Sequence, residues 1–531
     1  MADGGDALPD SEPTCGSSSQ EYIKDPSKLT PEELVIEKQL RWKIDVLIMP
    51  TIICVYLMNY IDRNNYAAAR LQGLERDLKL TPSQYQTGLS ILFVSYILMQ
   101  VPSNLLLNYV GRPSLYLGFS TIAWGLVSAS TSLVKNYPQI LACRLILGFV
   151  GTLCASIAPF DFIKAANRHL CRLEAPFFAG VLFYLSKWYT KKELTLRMSI
   201  FYSGSLLSGA FGNLIAAGIL NGLSGSYGLS PWQWLYIIEG IITIAIGSLI
   251  CVILPDFPDT WRLLTPEMKR VANRRLAIDA AEADIDGEGG MSQLTGFRLA
   301  MTDIKTYLLA IAYMSITGAS GFQNFFPTLT GTLGHNETIS LLLVAPPYIF
   351  TLVYSILHSR MSDRLGSRFW FFIYPIPISI LGFIIFMTTD SFGPRYLSLF
   401  IMCFVFTMMS TCYSWVAGAI PRPPAKRATA YAFINSVGNS ASIWTPYTYR
   451  DRDAPQYRLA LGLCIALQML AGLMAVVLRL HLIKQNCALE RTERECGGLV
   501  DDERMRLMSA ETEGVEVDIP APLPKGFRYM I

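Results

Sequence analysis

Apolar and polar positions alternate along this chain in long blocks rather than at short helical or strand periods. About a dozen apolar stretches approach the roughly 20 residues that a helix needs to cross a hydrocarbon core about 30 Å thick. A charged segment from Pro255 to Lys305 divides them into two sets of about six. The first set is predicted at Ile44–Tyr60, Leu89–Leu107, Leu115–Val134, Ile140 onward, Met198–Leu220 and Trp234–Leu254. The second falls at Tyr307–Phe326, Ile339–Leu357, Phe369–Met387, Leu397–Ile420, Ala428–Thr445 and Tyr457–Leu480. An even number of crossings places both chain ends on one side.

These blocks divide the chain into a disordered N-terminal tail (1–43), a first six-helix half (44–254), a central loop (255–305), a second half (306–482) and a C-terminal tail (483–531). In the loop, Thr265-Pro266 reads as a helix cap followed by a proline at the first helical position, and a flexible acidic stretch from Glu282 to Glu288 follows. The first residues have no basic start leading into an apolar core, so a cleavable signal is not expected.

Composition agrees with a membrane class: 52% of the 531 residues are apolar and 16% charged. The net charge of +3 is small and its Lys and Arg residues sit in short clusters between apolar runs, which does not suggest nucleic acid. Arg41, Lys43, Lys187, Lys191, Lys192, Arg197, Arg360, Arg364, Arg368, Arg422, Lys426 and Arg427 all fall in loops of one parity. Basic residues are retained on the cytoplasmic side, so both termini are predicted to be cytosolic. The eleven cysteines are scattered without metal-type spacing, and His335, His358 and His481 are isolated near span ends, so no metal site or cofactor is expected.

Several ordered motifs stand at the ends of these spans. Ser362-Asp363-Arg364-Leu365-Gly366-Ser367-Arg368 places an acid and two arginines around a glycine turn between the eighth and ninth spans. An acid at one helix end and arginines beside the turn can pair in one conformation and separate in another. The equivalent first-half loop, Tyr109 to Ser114, keeps a glycine and one arginine and lacks the Asp-Arg pair. Asp62-Arg63-Asn64-Asn65 closes the first span, Trp234 to Gly240 carries Glu239 into the sixth, and Leu254-Pro255-Asp256-Phe257-Pro258 follows. Leu341 to Tyr348 and Asn439 to Tyr447 complete the set.

Together these motifs resemble the major facilitator superfamily, and within it the anion:cation symporter branch that includes fungal allantoate and nicotinate permeases. The resemblance implies an all-helical fold of two six-helix halves, each built of nested three-helix repeats, with a site near the membrane midplane. It implies a secondary carrier of a small organic anion in the plasma membrane, coupled to protons, without a cofactor and acting as a monomer. A drug–proton antiporter of the same fold fits less well, because such carriers have a Gly-Pro element in the fifth span and Met198–Leu220 contains no proline. A non-transporting receptor or an inactive product is a further alternative. No nucleophile–base pair or metal set suggests an enzyme.

Candidate site residues follow from polar groups inside apolar runs. Arg144 lies several residues into the fourth span, where a guanidinium should face the bundle interior and suits a carboxylate; a structural ion pair with Glu174 is the competing account. Glu239 is expensive in its apolar span, at roughly 2.5–3.5 kcal/mol, and is expected to hold a proton or to pair with an arginine. Asp62 and Arg63 are placed near the outer interface, as surface pair or as coupling groups. Gln100, Asn104, Gln323, Asn324, Asn435 and Asn439 are candidates to line the same cavity or to bond between helices. Gly204, Gly209 and Gly212 are expected to permit close packing of the fifth span, and Tyr413 and Trp415 to pack or to stack on a flat solute.

One span is interrupted. In the resembled family an Arg144–Val150-like segment runs straight into one like Glu174 to Gly180, whereas here Gly151–Arg172 intervenes with Asp161, Lys164, Arg168 and Arg172. Removing it restores one helix with Arg144 and Glu174 about two turns apart. We read the insert as translated intron, an idea that transcripts consistently carrying codons for Gly151–Arg172 would defeat.

Overall fold

In the computed structural model each of the twelve expected spans falls on one helix or on two successive ones. It describes residues 30–110, 113–153, 185, 188–189, 191–256, 258, 261, 263–284, 293–420, 424–495 and 528–529. Among these, seven helices are long and apolar enough to cross a membrane, or eight if one bent pair counts as a single span. The insert beyond residue 153, Glu174, the N-terminal residues 1–29 and most of the C-terminal tail lie outside the described residues.

The first span is far longer than its apolar core, running from Pro31 to Leu71. Thr30 and Glu33 form a reciprocal capping box, with Pro31 at the first helical position, so helix starts inside the segment expected to be tail. This extension packs on the central-loop helix Pro266–Asp284, whose Met268 N–H donates to the Thr265 hydroxyl at 3.3 Å. Arg274 meets Glu33 at 2.8 Å and Arg275 meets Glu37 at 3.6 Å. The helix expected to start at Thr265-Pro266 is present and runs to Asp284, and a second helix, Gln293–Thr302, leads into the seventh span.

Close approach of helices in the first half depends on glycine. A Cβ at Gly125 of the third span would lie 2.9 Å from the Gly240 carbonyl of the sixth, and one at Gly148 of the fourth only 1.9 Å from Ser95 Oγ of the second. In lipid such backbone contact replaces the hydrophobic drive that packs soluble helices. Of the fifth-span glycines singled out from sequence, Gly209 is the one pressed hard: its Cβ would stand 2.7 Å from the ring of Tyr348 in the opposite half. Gly204 and Gly212 have ordinary room at 3.4 and 3.5 Å.

The two halves meet on the face away from the chain ends. Arg70 of the first span reaches Asp451 of the eleventh-to-twelfth loop at 2.7 Å. Gln86 Nε2 donates to the Tyr449 carbonyl at 2.8 Å, and Ser90 Oγ to that of Ile443 at 2.6 Å. An aromatic column fills the seam: Tyr66 stacks on Tyr85, Tyr85 meets the edge of Phe325, and Phe325 stacks on Tyr449 with ring centroids 4.2 Å apart. These contacts close that face.

On the terminal face each half is tied within itself. Asp45 takes a two-pronged contact from Arg197, at 2.7 and 3.0 Å, and a hydrogen bond from Tyr189, linking the first and fifth spans. In the second half Lys426 meets Asp303 at 2.8 Å. Tyr529, near the chain end, is buried there beneath Lys305, and its backbone N–H and carbonyl both bond to the Asn486 side chain.

Candidate functional site

The wall contributed by the first half is built around Arg144, which is 2% exposed. Its Nε donates to the Gly88 carbonyl at 3.3 Å, and its guanidinium lies 4.3 Å from the centroid of the Tyr66 ring. Nη1 is buried with no hydrogen-bond partner, and no carboxylate comes within ion-pair distance among the described residues. Gly148, one turn along the same helix, fixes this placement by letting the fourth span press against the second. Glu174, the ion-pair partner considered from sequence, lies outside the described residues.

Asp62 is not at the outer interface. Its helix continues more than two turns beyond it, to Leu71, so Asp62 is 1% exposed and accepts a hydrogen bond from Ser128 Oγ at 2.6 Å. Its second carboxylate oxygen is buried and unpartnered, and Arg144 is close enough to act on it electrostatically. Arg63 points away to a different helix face, lying over the rings of Tyr96 and Tyr60 at 4.8 and 5.2 Å. Asp62 and Arg63 therefore do not form a pair.

Glu239 is fully buried, and neither of its carboxylate oxygens has a hydrogen-bond partner. Asp62 is its charged neighbour. The result is an interior set of two acids, one arginine and several hydroxyls in which Asp62 Oδ2, Glu239 Oε1 and Oε2, Arg144 Nη1 and the Tyr66 and Tyr236 hydroxyls all have unused hydrogen-bonding capacity. Buried polar groups are ordinarily satisfied, so an unsatisfied cluster of this kind marks a place organised for something other than packing.

The second half carries neutral polar groups at the positions singled out from sequence. The seventh span breaks from α-helix into a 3-10 turn, Ser320–Phe325, and Gln323 and Asn324 sit on that turn. On the eleventh span Asn435 Oδ1 accepts from Tyr413 at 2.9 Å and from Asn439 Nδ2 at 3.0 Å, joining tenth and eleventh spans. Trp415 is in the core against Phe369 and Phe372, which removes it as a stacking surface. Ser90, two residues from Gly88, bonds to Ile443, one turn from Asn439, and so links the second and eleventh spans. Gln100 and Asn104 lie on the second-span helix, with their side chains outside the described residues.

The Asp363 loop is folded on itself. Gly366 takes φ +62°, the left-handed conformation of a helix C-cap, and turns the chain so that Arg368 reaches Asp363 at 2.7 Å and Ser362 Oγ at 2.9 Å. Arg364 is exposed. The first-half counterpart lacks its own acid; beside it the Asp256 carboxylate accepts from the Ser114 N–H and hydroxyl at 3.0 and 2.6 Å.

Sequence reasoning missed Tyr66, Ser128, Asp256 and the surroundings of His358. Tyr66 was within reach of it, since it stands one helical turn from Asp62 and shares its face.

Two six-helix halves closed at one face around buried, unsatisfied charge define a membrane transporter. The chain belongs to the Major Facilitator Superfamily, whose family model matches residues 52–159 and 173–446 and leaves out 160–172. It is 30% identical over 469 residues to a Schizosaccharomyces pombe protein named as a transporter, a match covering 87% of this chain and 90% of that one. It is 26% identical to the high-affinity nicotinic acid transporter of Saccharomyces cerevisiae, covering 83% of this chain and 77% of the other. Among solved structures it is similar to the proton:xylose symporter XylE, with TM-score 0.56, 15% identity and coverage of 82% and 95%. It is also similar to a bacterial homologue of the lysosomal transporter Spinster captured inward-facing and unoccupied, with TM-score 0.55, 12% identity and coverage of 85% and 96%. These structural likenesses show the fold. Transporters of this family are not enzymes, and a small molecule carried across the membrane is what the fold implies.

Proposed function

We propose that this protein imports a small organic anion through the plasma membrane, driven by protons, with both termini cytosolic and a single chain as the working unit. The observation that carries the proposal is Arg144: a buried guanidinium, held by Gly88 and Tyr66, with Nη1 unused and no carboxylate paired to it. A buried guanidinium that Asp62 acts on only from beyond ion-pair distance is costly, and a carboxylate from the solute supplies the missing partner in fork geometry. The nicotinic acid transporter among the relatives supports a carboxylate of this size class.

Glu239 and Asp62 are the coupling groups within reach of that site. A proton bound to one of them leaves the pair with one charge, so a proton and a carboxylate enter the site together without adding net charge. Because the pair moves without net charge, the pH difference across the membrane drives it, at about 1.4 kcal/mol per unit of pH. Gln323, Asn324, Asn435 and Asn439 would select the body of the solute, while Arg364, Arg368 and Asp363 would help set which face is open. With the face away from the chain ends sealed by the Arg70–Asp451 contact, the conformation is read as facing the cytosol.

The gap in the family match at 160–172 falls within the insert Gly151–Arg172 and supports reading it as foreign to the fold. In that reading Glu174 returns to the fourth span beside Arg144 and joins the coupling groups. The test is a competition uptake panel of labelled carboxylates on the form lacking 151–172, with Arg144→Ala as control. Uptake that saturates, rises as external pH falls and disappears in the variant is expected; unchanged anion uptake by Arg144→Ala overturns the assignment.

A further inference from the structure

His358 was set aside on sequence as an isolated residue, yet it is 2% exposed in the interior of the second half and both ring nitrogens are hydrogen-bonded. Its partners come from two other spans. Nε2 lies 2.9 Å from Thr411 Oγ1 on the tenth, and Nδ1 lies 2.7 Å from the Tyr374 hydroxyl in the ninth. Tyr374 in turn bonds to the hydroxyl of Tyr354, one turn back on the eighth.

The bond directions are assigned from Thr411. With Thr411 Oγ1 donating to the Thr407 carbonyl at 3.1 Å, it accepts from His358, and Nε2 is assigned the hydrogen. A neutral imidazole then has a lone pair on Nδ1, which accepts from Tyr374, and the Tyr374 oxygen accepts from Tyr354. The sequence Tyr354 O–H, Tyr374 O–H, His358, Thr411 O–H, Thr407 carbonyl is a single one-way wire. Among the described residues the titratable groups facing the ring are Tyr354 and Tyr374; Phe371 packs on its edge, and no charged side chain acts on it.

We propose that His358 is a proton-binding site in the second half, independent of the Arg144 cluster, whose occupancy loosens the junction of the eighth and ninth spans. Adding one proton to Nδ1 turns that nitrogen from acceptor to donor. Tyr374 must then rotate its hydrogen away from the ring towards Tyr354, and Tyr354 must release its own hydrogen outward, so both hydroxyl bonds reverse. No electrons move and no bond other than N–H forms. The new imidazolium has no counter-charge in its shell, which favours opening of that shell to water.

The position gives this event a readout. Ser362, one turn beyond His358, accepts the hydrogen bond from Arg368 that closes the Asp363 loop. Tyr374 stands at the break between helices Arg368–Ile373 and Pro375–Thr388, where proline removes a backbone donor. Protonation therefore acts on the one segment of the ninth span that joins the loop to the rest of its helix. This does not depend on which solute is carried.

The test is hydrogen exchange of segment 359–374 in the full-length protein in lipid nanodiscs, without solute, at about pH 7.5 and about pH 5, corrected for the intrinsic pH dependence of amide exchange. Acid is expected to speed exchange of this segment about tenfold in the wild type while segment 458–480 is unchanged. His358→Gln is expected to abolish the acid response. Tyr374→Phe, which deletes one oxygen and keeps the ring, is expected to abolish it as well, and stands in if the glutamine variant does not fold. An acid response retained in full by either folded variant, or absent from the wild type, overturns the proposal.

Discussion

Arg70 and Asp451 are separated by 381 positions in the chain and by 2.7 Å in the fold. Arg70 is held for this role by Glu75 at 2.9 Å and by the ring of Tyr85, 4.6 Å below its guanidinium. Because it spans the two halves, this contact exists only while the face away from the chain ends is shut.

Breaking it should change the balance of conformations rather than the fold. Partly exposed ion pairs are worth up to about 1 kcal/mol, which corresponds to about a fivefold change in an equilibrium. Asp451→Asn should therefore increase labelling of a cysteine introduced at Thr87, beside Tyr447 in the same seam, by about that factor. Labelling that is unchanged would show that the aromatic column and the Gln86 and Ser90 hydrogen bonds hold the seam without it.

Gly148→Ala tests whether the fourth span is packed as described. Its new methyl would meet Ser95 Oγ at 1.9 Å and the Leu92 carbonyl at 2.6 Å, and the second of these is backbone that cannot rotate away. Overpacking of this sort costs about 1–3 kcal/mol and should lower the thermal midpoint of the detergent-solubilised protein. It should also weaken solute binding, since the same helix aims Arg144. By contrast, Gly218→Ala, where a Cβ meets nothing within 4 Å, should leave both unchanged.

The docking of the central-loop helix should be insensitive to mild acid. The Thr30 backbone N–H, together with the Arg274 guanidinium, holds the Glu33 carboxyl below the usual carboxylate range against the opposing effect of burial. A depressed acid contributes stability that is complete above its unfolded value and is lost only as pH falls through the lowered folded value. Limited proteolysis in the central loop should therefore be the same at neutral pH and at pH about 5, and should accelerate only below the ordinary carboxylate range, near about pH 4. Glu33→Gln should make the loop more susceptible at neutral pH, because Arg274 then loses its counter-charge.

The acidic residue in the first-half loop illustrates how sequence and structure divide the information. The sequence shows Tyr109 to Ser114 without an acid, and a latch there looks absent. In the fold Asp256, just beyond the sixth span, brings an acid to Ser114 at the start of the third-span helix. Local motifs are legible when both partners lie in one loop, as Asp363 and Arg368 do, and illegible when the partner arrives from another helix.

Hydrophobic blocks alone determined the all-helical membrane class, the two sets of spans and the identity of Arg144 and Glu239 as buried charges, because a bilayer excludes polar side chains regardless of neighbours. Tertiary structure alone decided which of those charges meet. Asp62 moved from the expected interface to the interior because its helix runs on to Leu71, and Arg63 parted from it because adjacent helix positions face about 100° apart. His358 changed from an isolated residue to the centre of a three-span network for the same reason: hydrogen bonds between helices depend on rotation and depth, quantities that a one-dimensional pattern of apolar residues does not carry.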